Sequence, residues 1–133
     1  MRQITFRGKT FKGEWIEGDL YRTPGNTGDG VAIQYWDEND GWMTDDVRAE
    51  TVGQFTGLYD SLARPIFEGD ILTATGGGGD AEVRYYTEWA GFRLRVTDAL
   101  GRSSAETFSK FVAARYLVTG NIHDKQQKNE QAD

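Results

Sequence analysis

Apolar residues in this chain come in short alternating runs, and most runs stop at a glycine, aspartate or asparagine. That punctuation constrains the fold more than any other feature. Seventeen glycines stand against two prolines, which suits many tight turns between short strands and leaves little room for long helices. In Gln3–Arg7, Ile4 and Phe6 alternate with polar neighbours, and Phe92, Leu94 and Val96 alternate with Arg93 and Arg95. Such a period of two is expected where one sheet face is buried. Further strands are predicted at Thr51–Phe55, Asp70–Thr75, Ala81–Tyr86 and Leu117–Ile122, with Phe55 and Ile71 as core positions. The fold class read from this is mainly β.

Val31–Trp36 and Trp42–Val47 flank Asp-Glu-Asn-Asp-Gly, where Gly41 suits the positive φ of a hairpin turn. Residues 37–46 therefore read as an acidic-tipped hairpin inside an amino-terminal β subdomain, 1–50. Gly76–Gly79 reads as a mobile loop between two strands, since four glycines lose much backbone entropy on ordering. It is no phosphate cradle: no Lys-Ser/Thr follows it, and no helix starts there. One short helix is predicted near 104–116, where Ser103 and Glu106 form a capping-box pattern and Ala105, Phe108, Val112 and Tyr116 recur at helical spacing. Residues 124–133 lack apolar side chains except Ala132 and read as a disordered tail.

A short echo links Trp15–Tyr21 and Ile66–Leu72, which share an apolar pair, Glu-Gly-Asp, and an apolar pair. Both read as one device, a glycine turn with an aspartate bonded to local amides before a strand begins.

Chemistry is narrowed by what the chain lacks. It has no cysteine, which excludes disulfides, cysteine-based metal sites and a thiol nucleophile, and it has one histidine, His123, which excludes a His-x-x-x-His zinc pair. His123 reads as solvent-exposed beside the tail. The acidic tip fails the calcium-loop spacing, because Trp42 stands where glycine is required. Glu68 and Asp70 could be a carboxylate pair, but neighbours on one strand more often serve a turn. No cofactor and no metal site is expected. The amino terminus, charged at positions 2, 7, 9 and 12, reads as neither a signal nor a membrane span, and points to a cytoplasmic protein. Net charge is −6, and Asp37, Glu38, Asp40, Asp45, Asp46 and Glu50 face only Arg48 in their window, which disfavours polyanion contact there.

The run Gln54–Asp60 followed by Ile66–Leu72 resembles the central signature of the YopX family of phage and prophage proteins. The opening Met1–Arg7, the early Gly13-Glu14-Trp15 with Gly18-Asp19-Leu20, and the late Val118–Ile122 resemble that family as well, so the likeness spans residues 1–123. The resemblance implies an SH3-like β-barrel in the carboxy-terminal part, 51–123, with the helix inserted before its last strand. Phe55, Thr56, Gly57, Glu68, Gly69, Asp70, Gly120 and Asn121 then belong to the signature and read as structural. Relatives carry a polar Asn-Gly-type turn where this chain has Leu62-Ala63-Arg64-Pro65.

Two function classes lead, ahead of a third, an enzyme whose site would bring together two of Glu68, Asp70, Glu82 and Glu88. The first is a non-enzymatic accessory protein of a phage or prophage, acting by contact with a host or phage protein, with self-association through open sheet edges as a variant. The second, weaker, is a nucleic-acid-binding module on a basic strip formed by Arg84, Arg93 and Arg95 with Tyr85 and Trp89 close by. The bland reading of that strip is the solvated face of an ordinary strand.

Overall fold

The computed structural model describes residues 2–23 and 28–124, so the tail read as disordered lies outside the described residues apart from Asp124. The chain divides into two compact units between Phe55 and Thr56, a few residues beyond the boundary read at 50/51. The described strands are antiparallel and form two sheets; no closed barrel is found among them.

In the first unit the strands are β1 (Phe6–Lys9), β2 (Trp15–Arg22), β3 (Val31–Asp37), β4 (Gly41–Asp46) and the start of β5 (Gly53–Tyr59), hydrogen-bonded in the order β4-β3-β2-β1-β5. The β3–β4 hairpin forms as the sequence dictates. Asp37 Oδ1 accepts from the amides of Asn39 at 2.8 Å and Asp40 at 3.0 Å, and Gly41 at φ 78° completes the turn. Trp36 then lies directly opposite Trp42. The core of this unit holds Ala32, Ile33 and Val47, all fully buried. Gly8 lies so close to Val47 and Ile33 that an added Cβ would sit 3.1 Å from the valine side chain. Strand β1 begins two residues later than Ile4, which is half exposed and not a core residue.

The two halves of the Glu-Gly-Asp echo differ. Gly69 sits between strands at φ 90°, and Asp70 accepts the Phe67 amide at 2.8 Å, as a turn device should. Gly18 instead lies within β2. A Cβ there would stand 2.0 Å from the Gln34 carbonyl oxygen on β3, so its glycine is set by close approach of a backbone and not by a turn.

In the second unit β5 runs on beside β6 (Pro65–Phe67), and a five-stranded sheet follows in the order β10-β9-β8-β7-β11. Its members are β7 (Asp70–Ala74), β8 (Asp80–Tyr86), β9 (Gly91–Thr97), β10 (Ser103–Glu106) and β11 (Tyr116–Asn121). One face packs on Ile66, Leu72, Ala81, Val83, Leu94 and Ala113. Leu72, and not the partly buried Ile71, is the core position of β7.

The helix predicted near 104–116 shrinks to α1 (Lys110–Ala113), capped by Ser109, whose hydroxyl accepts from the Val112 amide at 3.3 Å. Ser103 and Glu106 are no capping box. The Asp98–Arg102 turn folds the chain back on β9, so that Ser103 pairs with Thr97 and Glu106 with Leu94. A register partner already in place outweighs a local pattern worth about 1 kcal/mol.

Candidate functional site

The signature residues form a structural knot. Asp70, fully buried, accepts from the Phe67 amide with one oxygen and from Asn121 Nδ2 with the other at 3.0 Å. Asn121 Oδ1 in turn accepts the His123 amide at 2.9 Å, and the Ile122 amide donates to the Gly69 carbonyl at 2.9 Å. Thr56 Oγ1 donates to the Ile66 carbonyl at 2.8 Å, and Gly57 adopts φ 86°. Phe55 is buried. So Gly69–Asp70 and Gly120–Asn121, far apart in sequence, meet across the β7–β11 pair. Glu68 precedes them in the turn after β6. A buried carboxylate needs such partners, and here backbone and amide donors supply them. A cleft of about 580 Å³ beside the knot is lined by Ile71, Asp80, Thr119, Gly120, Asn121 and Asp124. Its two carboxylates are engaged: Asp80 accepts from Thr73 Oγ1 and Asp124 from the Asn121 amide. His123 is partly buried, against the exposed position expected. Among the described residues no group of three or more His, Cys, Asp or Glu is placed to hold a metal ion.

The basic strip lies on the outer face of the second unit's sheet. Register sets Arg84 directly opposite Arg93, and Glu82 opposite Arg95. Arg84 Nε donates to Glu82 Oε2 at 2.7 Å, and Arg95 reaches the other oxygen at 3.8 Å. That bond to Glu82 holds the Arg84 guanidinium above its ordinary pKa. Arg93 behaves differently, its guanidinium stacking on the Trp89 ring 4.0 Å from the centroid. Trp89 also meets Tyr86 edge to face at 5.6 Å. Tyr85, placed with the arginines by the sequence reading, belongs to the other face, where it packs edge to face on Phe92 at 5.4 Å. Alternation decides this: Tyr86, two residues from Arg84, shares its side.

A second surface escaped the sequence reading. At the acidic tip of the β3–β4 hairpin, Trp36 and Trp42 meet edge to face at 5.3 Å, yet they stay 61% and 63% exposed. The signal was present in their symmetric placement about Asp-Glu-Asn-Asp-Gly. Below the tip, Tyr35 donates to Asp45 Oδ2 at 2.6 Å, and this bond pushes the phenol up to about 12.

The sequence profile described as YopX protein matches residues 5–127. The chain belongs to the YopX family. No curated protein matches it. Among solved structures, that described as the crystal structure of protein EF1440 from Enterococcus faecalis is similar to this YopX-family chain. The TM-score is 0.58 at 20% identity, over 96% of this chain and 99% of that one. At that identity the likeness speaks for the fold alone. No helix among the described residues is long and apolar enough to cross a membrane.

Proposed function

We propose that this chain is a phage- or prophage-type accessory protein of the cytoplasm that works without catalysis, by binding a protein partner at the tip of the β3–β4 hairpin. The observation that carries the reading is the Trp36–Trp42 pair. An edge-to-face aromatic pair across two strands steadies a hairpin, but that role can be met with the rings largely covered. Here each tryptophan stays about three fifths exposed, beside the β3–β4 turn. Tryptophan, with tyrosine and arginine, is enriched at binding hot spots. Asp37, Glu38 and Asp40 surround the pair with negative charge, which favours a partner with a basic rim. The signature carboxylates support a non-catalytic reading, because Asp60 and Asp70 are engaged in holding backbone amides. The phage setting follows the family resemblance. So does an SH3-like arrangement of β5, β7, β8, β9 and β11 in the second unit.

The test is affinity capture of the tagged chain from host lysate, run beside a Trp36→Ser/Trp42→Ser variant and a Trp89→Ala variant. A protein held in stoichiometric amount by the wild type and by Trp89→Ala, but lost with the double variant, is the expected result. Identical recovery with all three overturns the reading.

A further inference from the structure

We infer that the outer face of the second unit's sheet binds the base and phosphate of a nucleotide, through Trp89 and Tyr86 for the base and Arg93 for the phosphate. The site lies in the other unit from the Trp36–Trp42 tip and does not depend on it. Like charges directly opposite each other across a strand pair repel, so the Arg84–Arg93 pairing is an unfavourable arrangement unless something answers it. Glu82 answers for Arg84 at 2.7 Å. No described carboxylate answers for Arg93, whose guanidinium lies over the Trp89 ring and keeps donors for an oxyanion. Contact with the ring limits the freedom the side chain loses when an anion arrives.

Trp89 is presented deliberately. It ends the turn Thr87–Trp89, which closes through Ala90 in the left-handed conformation, φ 48° and ψ 45°, an arrangement unfavourable for a residue with a Cβ. The turn leaves the indole half exposed, edge-on to Tyr86, above the row of arginines. A half-exposed indole with a guanidinium over one side of its ring and no carboxylate on that guanidinium suits an unpaired base with its phosphate. It does not suit a duplex, whose bases are already stacked. The net charge of −6 opposes any polyanion at long range, so binding should be strongest at low salt.

The experiment is fluorescence anisotropy of a short fluorescein-labelled oligothymidylate titrated with the full chain at low and at moderate salt. Expected are saturable binding that weakens with salt and a loss of roughly 5- to 150-fold on Trp89→Ala, the size of one lost base stack. Arg93→Lys should also weaken binding, because charge is kept but the planar stack is not, and Trp42→Ser should leave it unchanged. Displacement of the probe by AMP would identify a free nucleotide as the ligand; displacement by unlabelled oligomer alone would identify a single strand. The inference is overturned by absence of salt-sensitive binding, or by wild-type affinity in folded Trp89→Ala and Arg93→Ala variants. It is overturned too if polyglutamate displaces the probe from the wild type as well as unlabelled oligothymidylate does, an outcome that needs no variant.

Discussion

Asp60 and Asp98 each accept three bonds from a turn of the same make. In both, Oδ1 takes the amides two and four residues on, and Oδ2 takes Nε of the arginine four residues on. The segments read Asp60-Ser61-Leu62-Ala63-Arg64 and Asp98-Ala99-Leu100-Gly101-Arg102, a repeat of Asp-x-Leu-(Ala/Gly)-Arg. The fourth position is left-handed in each, φ 61° at Ala63 and φ 82° at Gly101. A Cβ in that region costs about 1–2 kcal/mol, and glycine gives back about 0.5–1 kcal/mol of it through its looser unfolded state. Ala63→Gly should therefore stabilise the chain by about 0.5–1 kcal/mol, with Gly101→Ala destabilising by a similar amount. Urea unfolding of the two variants checks this, and a loss of stability in Ala63→Gly would refute it. The polar Asn-Gly-type turn expected of relatives at this place is the ordinary solution; this chain carries the strained one.

At the scale of elements, hairpins were legible because their information is local. Asp37 and Gly41 specify the β3–β4 turn by themselves, and alternation in Gly91–Thr97 is plain in the sequence. What was not legible depends on residues distant in sequence. The helix near 104–116 failed because Ser103–Glu106 had a partner strand waiting, and the facing of Arg84 by Arg93 and of Glu82 by Arg95 is a matter of register between two strands. Gly18 is a further case. Nothing in Glu-Gly-Asp reveals that the Gln34 carbonyl lies where a Cβ would go, 2.0 Å away. Backbone cannot yield as a flexible side chain can, so Gly18→Ala should force β2 and β3 apart and cost about 3 kcal/mol or more. Asp19→Ala, its neighbour, should cost far less. A thermal melt of the two variants separates the close-approach account from a turn account, under which Gly18→Ala would be nearly silent because Gly18 has no positive φ to lose.

For the molecule as a whole, acidification should bring two separate events, and their order tests both the charge and the knots. Net charge is −6 at pH 7 and vanishes near pH 4.8. Near that point, repulsion between copies disappears while Trp36, Trp42, Trp89, Leu100 and Phe111 remain exposed, so association should grow. Unfolding should come later. Burial raises the pKa of Asp60, but the amides of Val118, Arg64 and Leu62 and the Arg64 side chain outweigh it and hold the carboxyl below its ordinary value. A group whose folded pKa lies below its unfolded pKa, about 3.9 for aspartate, gives its stabilisation in full above that value and loses it as pH falls through the folded one. The side chain of Asp60 is fully buried, so this contribution is not a screened surface effect. Light scattering and near-ultraviolet circular dichroism followed in one titration should show scattering rise while the aromatic signal is still native, and the signal fall only below about pH 4. Trp36→Ser/Trp42→Ser should reduce the scattering without moving the second step. Loss of the aromatic signal before scattering rises would mean that the Asp60 turn does not hold the second unit together, and that association follows unfolding.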